Sequence, residues 1–315
     1  MICIFSCDEE EKAAFQRAAR QRGLDVFITD RALDAAAPLP DGAVVSVSHK
    51  EKIDAAVIDL LRRRGVRYLS TRSVGTNHID VQYAAECGIT VEGVCYSPES
   101  IAEHALLLML MAVRQVEPVL ERARRGDFRL GECRCGSLFG KTVGIIGTGK
   151  IGSCMAGLLK GFGCRILAYS NVAAEGFTYT DLPTLLRESD IVTLHLPLTE
   201  ETHHLLCPQT IGMMKPGAIL VNTARGALVD SAALEAALRS GHIGAAALDV
   251  AEGEEGCFYH DCGSAEGLPF SGLLTLPNVI LTPHCAFYTR QALSDIVENT
   301  LTNCMKHERS NHESA

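Results

Sequence analysis

No hydrophobic run in this sequence is long enough to cross a membrane. The longest apolar stretch, residues 105–113, ends at Arg114, whereas a spanning helix needs about 20 apolar residues. The N-terminus also lacks the basic segment of a signal peptide and turns acidic at Asp8, so we interpret it as a first β-strand. We therefore expect a cytoplasmic protein without a membrane partner.

Positive charge is scarce as well. Lys and Arg number 29 against 38 Asp and Glu, which gives a net charge of −9 at pH 7 and a pI near 5.7. This balance disfavours nucleic acid as the main partner, although it permits a local basic site for a small anion. The basic run Arg62–Arg64 lies on a predicted helix near Glu51 and Asp59, where a solvated face is the better interpretation. We expect no nucleic-acid partner.

The cysteines lack the regular spacing of a disulfide framework. There are thirteen, an odd number that is typical of reduced thiols in a cytosolic protein. Two groups are close in sequence: Cys133 with Cys135, and Cys257 with His260 and Cys262. A structural zinc site usually needs four ligands in paired knuckles, and both groups lack the second pair. The sequence therefore predicts no metal site.

The chain of 315 residues is too long for one ordinary domain. Short apolar runs alternate with helical patterns, which indicates parallel sheets covered by helices on both faces. The first set of candidate strands is Ile2–Ser6, Val26–Thr29, Val44–Ser48, Tyr68–Thr71 and Thr90–Val94. The second set is Thr142–Gly147, Arg165–Ser170, Ile191–His195, Ala218–Asn222, Ala245–Val250 and Val279–Thr282. We therefore predict an α/β fold of two doubly wound parallel-sheet domains.

Helical patterns separate most of these strands. The clearest are Glu9–Arg22, Lys52–Arg64, Ile151–Phe162, Ala232–Ser240 and Ala292–Lys306. Between the two strand sets, Ser97 and Pro98 have the pattern of an N-cap followed by proline, which begins a long apolar helix to Arg114. A second helix then leads to Gly126. We predict that the chain crosses between the two domains in this segment.

A glycine fingerprint follows the first strand of the second set. It reads Gly147-Thr148-Gly149-Lys150-Ile151-Gly152, with an apolar strand before it and a helical pattern after it. Gly147 permits a tight turn, Gly149 lets the backbone approach a pyrophosphate, and Gly152 lets the helix pack on the strand. The positive end of the helix then stabilises phosphate charge. This strand–turn–helix context predicts a dinucleotide site.

The next strand carries information on cofactor choice. In NAD-binding domains this strand usually ends in an acid that binds the ribose 2′-hydroxyl, but here it ends in the neutral Ser170 and Asn171. The absence of a carboxylate removes repulsion against a 2′-phosphate, yet no arginine follows to bind that phosphate. We therefore favour NADPH over NADH and leave use of both open. Asp181 is a weaker candidate for the ribose, because a helix cap explains it equally well.

Three polar features follow strands of the second set, at the sheet edge where ligands bind. They are Asn222 to Arg225, Asp249 with Glu252 and Glu254, and His284. An arginine binds a carboxylate in a bidentate pair, and a histidine can give up a proton near neutral pH. A carboxylate beside the histidine would raise its pKa and fix its orientation. Each residue alone could be an ordinary turn residue, but together they predict acid–base chemistry.

With these motifs the sequence resembles the D-isomer-specific 2-hydroxyacid dehydrogenases. Within that family it is similar to the D-lactate dehydrogenases and to the vancomycin-resistance (VanH-like) pyruvate reductases. The resemblance extends over nearly the whole chain, and the stretches that carry it are Arg72–Asp80, Tyr96–His104, Gly147–Gly152, Asp190–Leu198, Asn222–Gly226, Leu248–Glu254 and Thr282–Thr289. The resemblance implies a discontinuous, flavodoxin-like substrate domain of residues 1–98 and 287–315, and a Rossmann NAD(P)-binding domain of residues 99–286. In the VanH-like enzymes an arginine follows the serine that corresponds to Ser170, whereas this chain has Asn171 there.

The resemblance also implies residue roles. Arg225 would bind the substrate, His284 would be the general acid, Glu254 would pair with it, and Asp249 would tune the pH range. Substrate contacts would come from Val74 and Gly75 amides, Tyr96, Arg225 and Phe287. Cofactor contacts outside the fingerprint would come from Ser170, Asn171, His195, Pro197, Thr223, Ala224, Arg225, Asp249, His284 and Ala286.

The implied activity is reduction of pyruvate, or a close small 2-keto acid, to D-lactate by a homodimer, with D-lactate supplied to vancomycin-resistant cell-wall precursors. Two alternatives stay open. One is a family member for a larger 2-keto acid, such as 2-ketoisocaproate. The other is a non-catalytic, dinucleotide-sensing corepressor, which shares the fold but should carry a partner-binding extension that is not visible here.

Overall fold

The computed structural model describes residues 1–34, 37–130 and 134–313, with side chains up to residue 308. The chain divides into two compact units, Met1–Ser97 with Tyr288–Ala315, and Pro98–Phe287. Cys133 lies outside the described residues, so the absence of a metal at Cys133 and Cys135 stays a prediction, as do the substrate and cofactor roles assigned to the two units.

Strands and helices alternate through both units. In chain order they are β1 (Ile2–Ile4), α1 (Glu9–Arg22), β2 (Val26–Ile28), β3 (Val44–Val47), α2 (Ala55–Arg63), β4 (Tyr68–Thr71), α3 (Val81–Glu86), β5 (Thr90–Gly93), α4 (Pro98–Arg114), α5 (Val116–Arg124) and β6 (Thr142–Ile146). There follow α6 (Lys150–Gly161), β7 (Arg165–Tyr169), α7 (Leu182–Glu188), β8 (Ile191–Leu194), α8 (Pro208–Ile211), β9 (Ala218–Asn222), α9 (Ser231–Arg239), β10 (Ile243–Leu248), α10 (Ser271–Leu274), β11 (Val279–Leu281) and α11 (Arg290–Glu313). No helix among the described residues combines the length and apolar character needed to cross a membrane.

Each unit is built on one parallel sheet. The first has five strands in the order β2-β1-β3-β4-β5, and the second has six in the order β11-β10-β9-β8-β6-β7. Strands β1, β3, β4, β6 and β8 are buried along their whole length, which is typical of parallel sheets covered on both faces. The prediction of two parallel-sheet domains is confirmed.

Aspartates fix where several helices begin. The side chains of five N-cap aspartates accept hydrogen bonds from backbone N–H groups in the first turn: Asp8, Asp54, Asp80, Asp181 and Asp230. Each cap satisfies donors that a helix leaves unpaired and stabilises its start by about 1 kcal/mol. Asp181 accepts from Thr184 N at 2.7 Å, so the cap explains this residue.

Some predicted boundaries were wrong, for local reasons. The first strand ends at Ile4 rather than Ser6, because Ser6 has a φ of +56° and turns the chain out of the sheet. The second helix begins at Ala55 rather than Lys52, because Asp54 is extended and caps it. Strand β10 runs from Ile243 to Leu248 rather than from 245 to 250. The C-terminal helix is longer than predicted at both ends.

The sheet register of the second unit brings the ends of three strands together. Leu248, the last residue of β10, pairs with Asn222 at the end of β9 and with Leu281 at the end of β11. The segments that leave these strands therefore begin side by side at one sheet edge. This edge holds most of the polar residues singled out in the sequence.

Candidate active site

The glycine fingerprint forms a tight turn between β6 and α6. Gly147 has a φ of +96°, and a Cβ there would lie 2.6 Å from His195 O. A Cβ at Gly152 would lie 2.0 Å from Gly147 O, so the helix could not pack as closely with any larger residue. A Cβ at Gly149 would meet nothing within 4 Å, because Gly149 is the N-cap of α6 and borders open space. The turn thus has the shape that a pyrophosphate requires.

Other groups at this edge also fit a dinucleotide. Thr223, which follows β9, is 7% exposed, and its Oγ1 is buried without a hydrogen-bond partner among the described residues. A buried hydroxyl left in this way is costly unless a ligand pairs with it. Desolvation lowers the pKa of His195 to about 4, so its ring is neutral at pH 7, and its Nε2 lies 3.0 Å from Thr193 Oγ1. Lys150 and Pro197 are exposed, and Ile151 is half-buried.

Strand β7 is followed by two neutral residues, Ser170 and Asn171, and the loop that they begin is hydrogen-bonded to the glycine turn. Ser170 Oγ accepts a hydrogen bond from Val172 N at 3.2 Å, and Asn171 is exposed. Thr148 Oγ1 donates to Val172 O at 2.9 Å and lies 2.8 Å from Tyr179 Oη. These bonds fix the segment that would border the adenosine ribose, and the strand end carries no carboxylate.

Arg225 is placed by a turn that begins at Asn222. Asn222 Oδ1 accepts from Ala224 N at 3.0 Å, and its Nδ2 donates to Arg225 O at 2.8 Å, so one buried amide shapes the whole turn. Arg225 is half-buried and its Nη1 donates to Ala224 O at 2.6 Å. Gly226 is required next, because a Cβ there would lie 2.1 Å from Ala251 C. The turn therefore packs directly against the segment that leads to Glu254.

His284 and Glu254 form a close pair. His284 Nδ1 lies 2.6 Å from Glu254 Oε1, and both side chains are largely buried, at 22% and 16% exposure. Glu254 Oε2 accepts from Ala251 N at 2.7 Å. A carboxylate can only accept, so His284 Nδ1 carries the hydrogen. The pair fixes the ring orientation and leaves proton exchange with a substrate to Nε2.

Asp249 lies behind His284 and is fully buried. Its Oδ1 accepts from Cys285 N and its Oδ2 from Ala286 N, each at 2.9 Å. Burial raises the pKa of this carboxyl, but hydrogen bonds from His104, Thr282 and the two amides outweigh burial and leave the pKa below its usual value. Asp249 is therefore ionised at neutral pH and binds the backbone that follows His284.

The predicted substrate residues fall in both units. Phe287 belongs to the second unit, and its ring meets that of His284 edge to face, with centroids 6.4 Å apart. Val74, Gly75 and Tyr96 belong to the first unit. There, Ser73 Oγ donates to Gly75 O at 2.7 Å, while Val74 is 52% exposed and Tyr96 is half-buried. The first unit thus presents a hydrogen-bonded loop after β4, and its role in binding substrate stays a prediction.

Sequence reasoning assigned no role to three residues that contact this group. Tyr259 Oη donates to His284 O at 3.0 Å. Thr282 Oγ1 donates to Asp249 Oδ1 at 2.5 Å, and His104 Nε2 lies 3.1 Å from Thr282 Oγ1. His104 and Thr282 belong to stretches that carry the family resemblance, and this membership was the only sign in the sequence that they could belong to the site.

Comparisons with known proteins identify the family of this chain. Residues 106–286, more than half of the chain, match the model of the D-isomer specific 2-hydroxyacid dehydrogenase, NAD binding domain. The chain is 44% identical to a D-specific alpha-keto acid dehydrogenase of Enterococcus faecium, over 98% of this chain and 97% of that protein.

Two solved structures are similar over nearly their full length. The pyruvate reductase of Chlamydomonas reinhardtii superposes with a TM-score of 0.85 at 36% identity, covering 98% of this chain and 96% of that one. A D-lactate dehydrogenase of Treponema pallidum superposes with a TM-score of 0.87 at 33% identity, covering 98% and 97%.

Proposed function

The chain belongs to the D-isomer-specific 2-hydroxyacid dehydrogenases, and from this premise we propose that it reduces pyruvate to D-lactate with a nicotinamide dinucleotide. The observation that carries the proposal is the His284–Glu254 pair at 2.6 Å, which lies at the same sheet edge as the turn of Arg225. The similarity to the pyruvate reductase of Chlamydomonas reinhardtii, at 36% identity, supports pyruvate as the substrate. The open turn at Gly149 and the Thr223 hydroxyl, which has no partner in the part of the chain that the structure describes, support the cofactor.

Hydride transfer, proton donation and charge stabilisation are assigned to different groups. Bound dihydronicotinamide would supply the hydride, which no side chain can provide. His284, oriented by Glu254, donates the Nε2 proton to the keto oxygen as that oxygen becomes an alkoxide. Arg225 binds the substrate and stabilises the negative charge that develops on the oxygen. In the reverse direction neutral His284 accepts the proton.

The two units would take different roles. We assign the dinucleotide to the unit Pro98–Phe287, which contains the glycine turn. The other unit would bind the substrate carboxylate through the amides of Val74 and Gly75, with Tyr96 limiting the side chain. These roles rest on the family resemblance. The proposed setting of D-lactate supply for vancomycin-resistant cell-wall precursors rests on the same resemblance, and a functional link of the gene to a D-alanine–D-lactate ligase would support it.

The test of the function is the initial rate of pyruvate reduction, followed by the absorbance of the reduced nicotinamide, with NADPH and NADH in parallel. We expect turnover with both and a higher kcat/KM with NADPH, because Ser170 and Asn171 place no carboxylate against a 2′-phosphate. Chiral analysis of the product should show D-lactate. Turnover of 2-ketoisocaproate but not of pyruvate would show that the substrate is a larger 2-keto acid. Dinucleotide binding without turnover of any 2-keto acid would favour the corepressor.

A single substitution tests the cofactor preference. Ser170→Asp should lower kcat/KM for NADPH by about 10- to 100-fold, because the new carboxylate repels the 2′-phosphate, whereas the 2′-hydroxyl of NADH gains a charged acceptor. NADH should become the better cofactor. Ser264→Asp is the matched control, because Ser264 is exposed and its Oγ accepts from Glu266 N, a bond that aspartate can keep. An unchanged cofactor ratio in Ser170→Asp would contradict the proposed preference.

We also propose that the protein is a homodimer, because the second unit exposes large apolar side chains. They are Leu107, Val119, Leu120, Phe128, Leu130 and Phe139, exposed by 43% to 96%. Helix α5 has no buried residue of its own, and a stable dimer needs roughly 1,200–2,000 Å² of buried surface. Light scattering should give twice the chain mass of 33.9 kDa.

Two leucine-to-aspartate variants test the dimer, one in the proposed interface and one, the control, outside it. Leu120→Asp on α5 should reduce the mass towards that of one chain. Leu274→Asp, at another exposed leucine of the same unit, should not. A parent protein of single-chain mass would refute the homodimer.

A further inference from the structure

The backbone of His284 is strained. Its φ is +50°, a left-handed conformation that costs a residue with a side chain about 1–2 kcal/mol. Such a conformation persists only where the surroundings enforce it. Here His284 N donates to Asp249 O at 2.7 Å, and His284 O accepts from Tyr259 Oη at 3.0 Å. Geometry that costs free energy in this way must be held by specific bonds.

The carboxylate of Asp249 supplies more of them. It accepts from the next two amides, Cys285 N and Ala286 N, one on each oxygen. Because Asp249 is fully buried, a rotation of the carboxylate would leave both amides and the charge without partners, which is costly in a protein interior. The orientation of this carboxylate therefore determines the course of the chain through residues 284–286.

His104 fixes that orientation from helix α4. Its Nε2 lies 3.1 Å from Thr282 Oγ1 and 3.4 Å from Asp249 Oδ1, and its side chain is 17% exposed. Thr282 has one hydroxyl hydrogen, which goes to Asp249 Oδ1 at 2.5 Å rather than to Leu248 O at 3.4 Å. Thr282 Oγ1 must then accept from His104, so His104 carries a hydrogen on Nε2.

Helix α4 is a rigid support for this bond. Ile101, Ala102, Ala105 and Leu108 on both sides of His104 are at most 6% exposed, and α4 packs on α6, β9 and β10. The ring of His104 is therefore held by a packed helix, unlike the loop it supports.

We propose that His104 is a positioning residue for the reduction. Through Thr282 and Asp249 it holds residues 284–286 and keeps His284 in the strained conformation in which Glu254 and the substrate can both reach its ring. This role rests on the proposed function, in which His284 donates the proton. His104 itself exchanges no proton with the substrate.

The test compares His104→Ala with His104→Gln, because a glutamine amide can donate to Thr282 as Nε2–H does. The alanine variant should lower kcat for pyruvate reduction by about 10- to 100-fold, the loss that misplacement by about 1 Å can cause. The dissociation constant of the dinucleotide, measured by calorimetry, should change less than about twofold. The glutamine variant should recover most of the kcat.

Two controls separate positioning from stability. His242 is a histidine of the same unit whose Nε2 is hydrogen-bonded to Ile211 O at 3.0 Å, so His242→Ala should lower the melting temperature and leave kcat unchanged. Thr282→Val removes the intermediate hydroxyl and should lower kcat as His104→Ala does, and the double variant should lose no more than either single one.

An NMR readout keeps the test independent of the substrate. The ring resonances of His284, assigned with a His284→Asn variant, should shift in His104→Ala and Thr282→Val but not in His242→Ala. Parental kcat and unshifted His284 resonances in His104→Ala would overturn the positioning role. Failure to reduce any 2-keto acid would refute the proposed function, and the resonances would still decide whether His104 holds His284.

Discussion

Replacement of His284 by alanine is expected to lower kcat for pyruvate reduction by about 10²- to 10⁴-fold, the usual loss of general acid catalysis. Alanine leaves the alkoxide that forms from the keto oxygen without its proton donor. The variant also frees Glu254, whose Oε1 now lies 2.6 Å from His284 Nδ1. Steady-state kinetics at saturating cofactor and pyruvate measures the effect.

The dinucleotide should still bind to His284→Ala, because the glycine turn lies on other segments of the chain. Calorimetry with the reduced cofactor checks this, and a dissociation constant within about threefold of the parent would place the defect in the chemical step. His260→Ala is the control, since His260 is an exposed histidine of the same unit. A kcat near the parental value in His284→Ala would show that another group donates the proton, and the proposed mechanism would be wrong.

Each oxygen of the Glu254 carboxylate makes a hydrogen bond that fixes a different part of the site. One oxygen orients the ring of His284 and the other accepts from Ala251 N, which closes the turn after β10. Ala251 in turn lies where a Cβ on Gly226 would collide. Glu254, the turn of Arg225 and the segment that follows β10 therefore pack as one group.

The fold was predictable where local pattern and burial agree. The buried strands β3, β4 and β8 are short runs rich in apolar and β-branched residues, a local pattern that is typical of strands covered on both faces. The short helices α3, α7 and α10 were not predicted, because four to seven residues hold too few turns for a helical period. Their starts depend on single residues, such as the caps Asp80 and Asp181.

The site was predictable in part for the same reason. Glycine spacing and strand-end residues are local features, so the dinucleotide turn and the residues Arg225, Glu254 and His284 could be singled out. The bond between His104 and Thr282 joins residues 178 positions apart, and no sequence pattern expresses it. The left-handed conformation of His284 is likewise a tertiary property, since glycine would be the residue expected there from local preference alone.

Arg225 should be the most sensitive position for substrate binding. Arg225→Gln is expected to reduce kcat/KM for pyruvate by about 10²- to 10³-fold, because it removes a cation that stabilises the developing oxyanion. KM should rise and kcat should fall, since the same guanidinium binds the ground state and the transition state. Arg225→Lys should recover little, because an ammonium cannot reproduce the planar, bidentate geometry. Steady-state kinetics with varied pyruvate at saturating cofactor separates the two parameters.

The control for Arg225 must keep the turn intact. The buried amide of Asn222 bonds to Arg225 O rather than to its side chain, so Arg225→Gln should preserve the turn and the melting temperature. Arg239→Gln removes an exposed arginine that pairs with Glu235 at 2.8 Å on α9, and its kinetics should equal those of the parent. If Arg225→Gln raised KM alone, the arginine would contribute equally to the ground state and the transition state. The additional stabilisation that arises only as the alkoxide forms would then come from groups other than Arg225, such as His284.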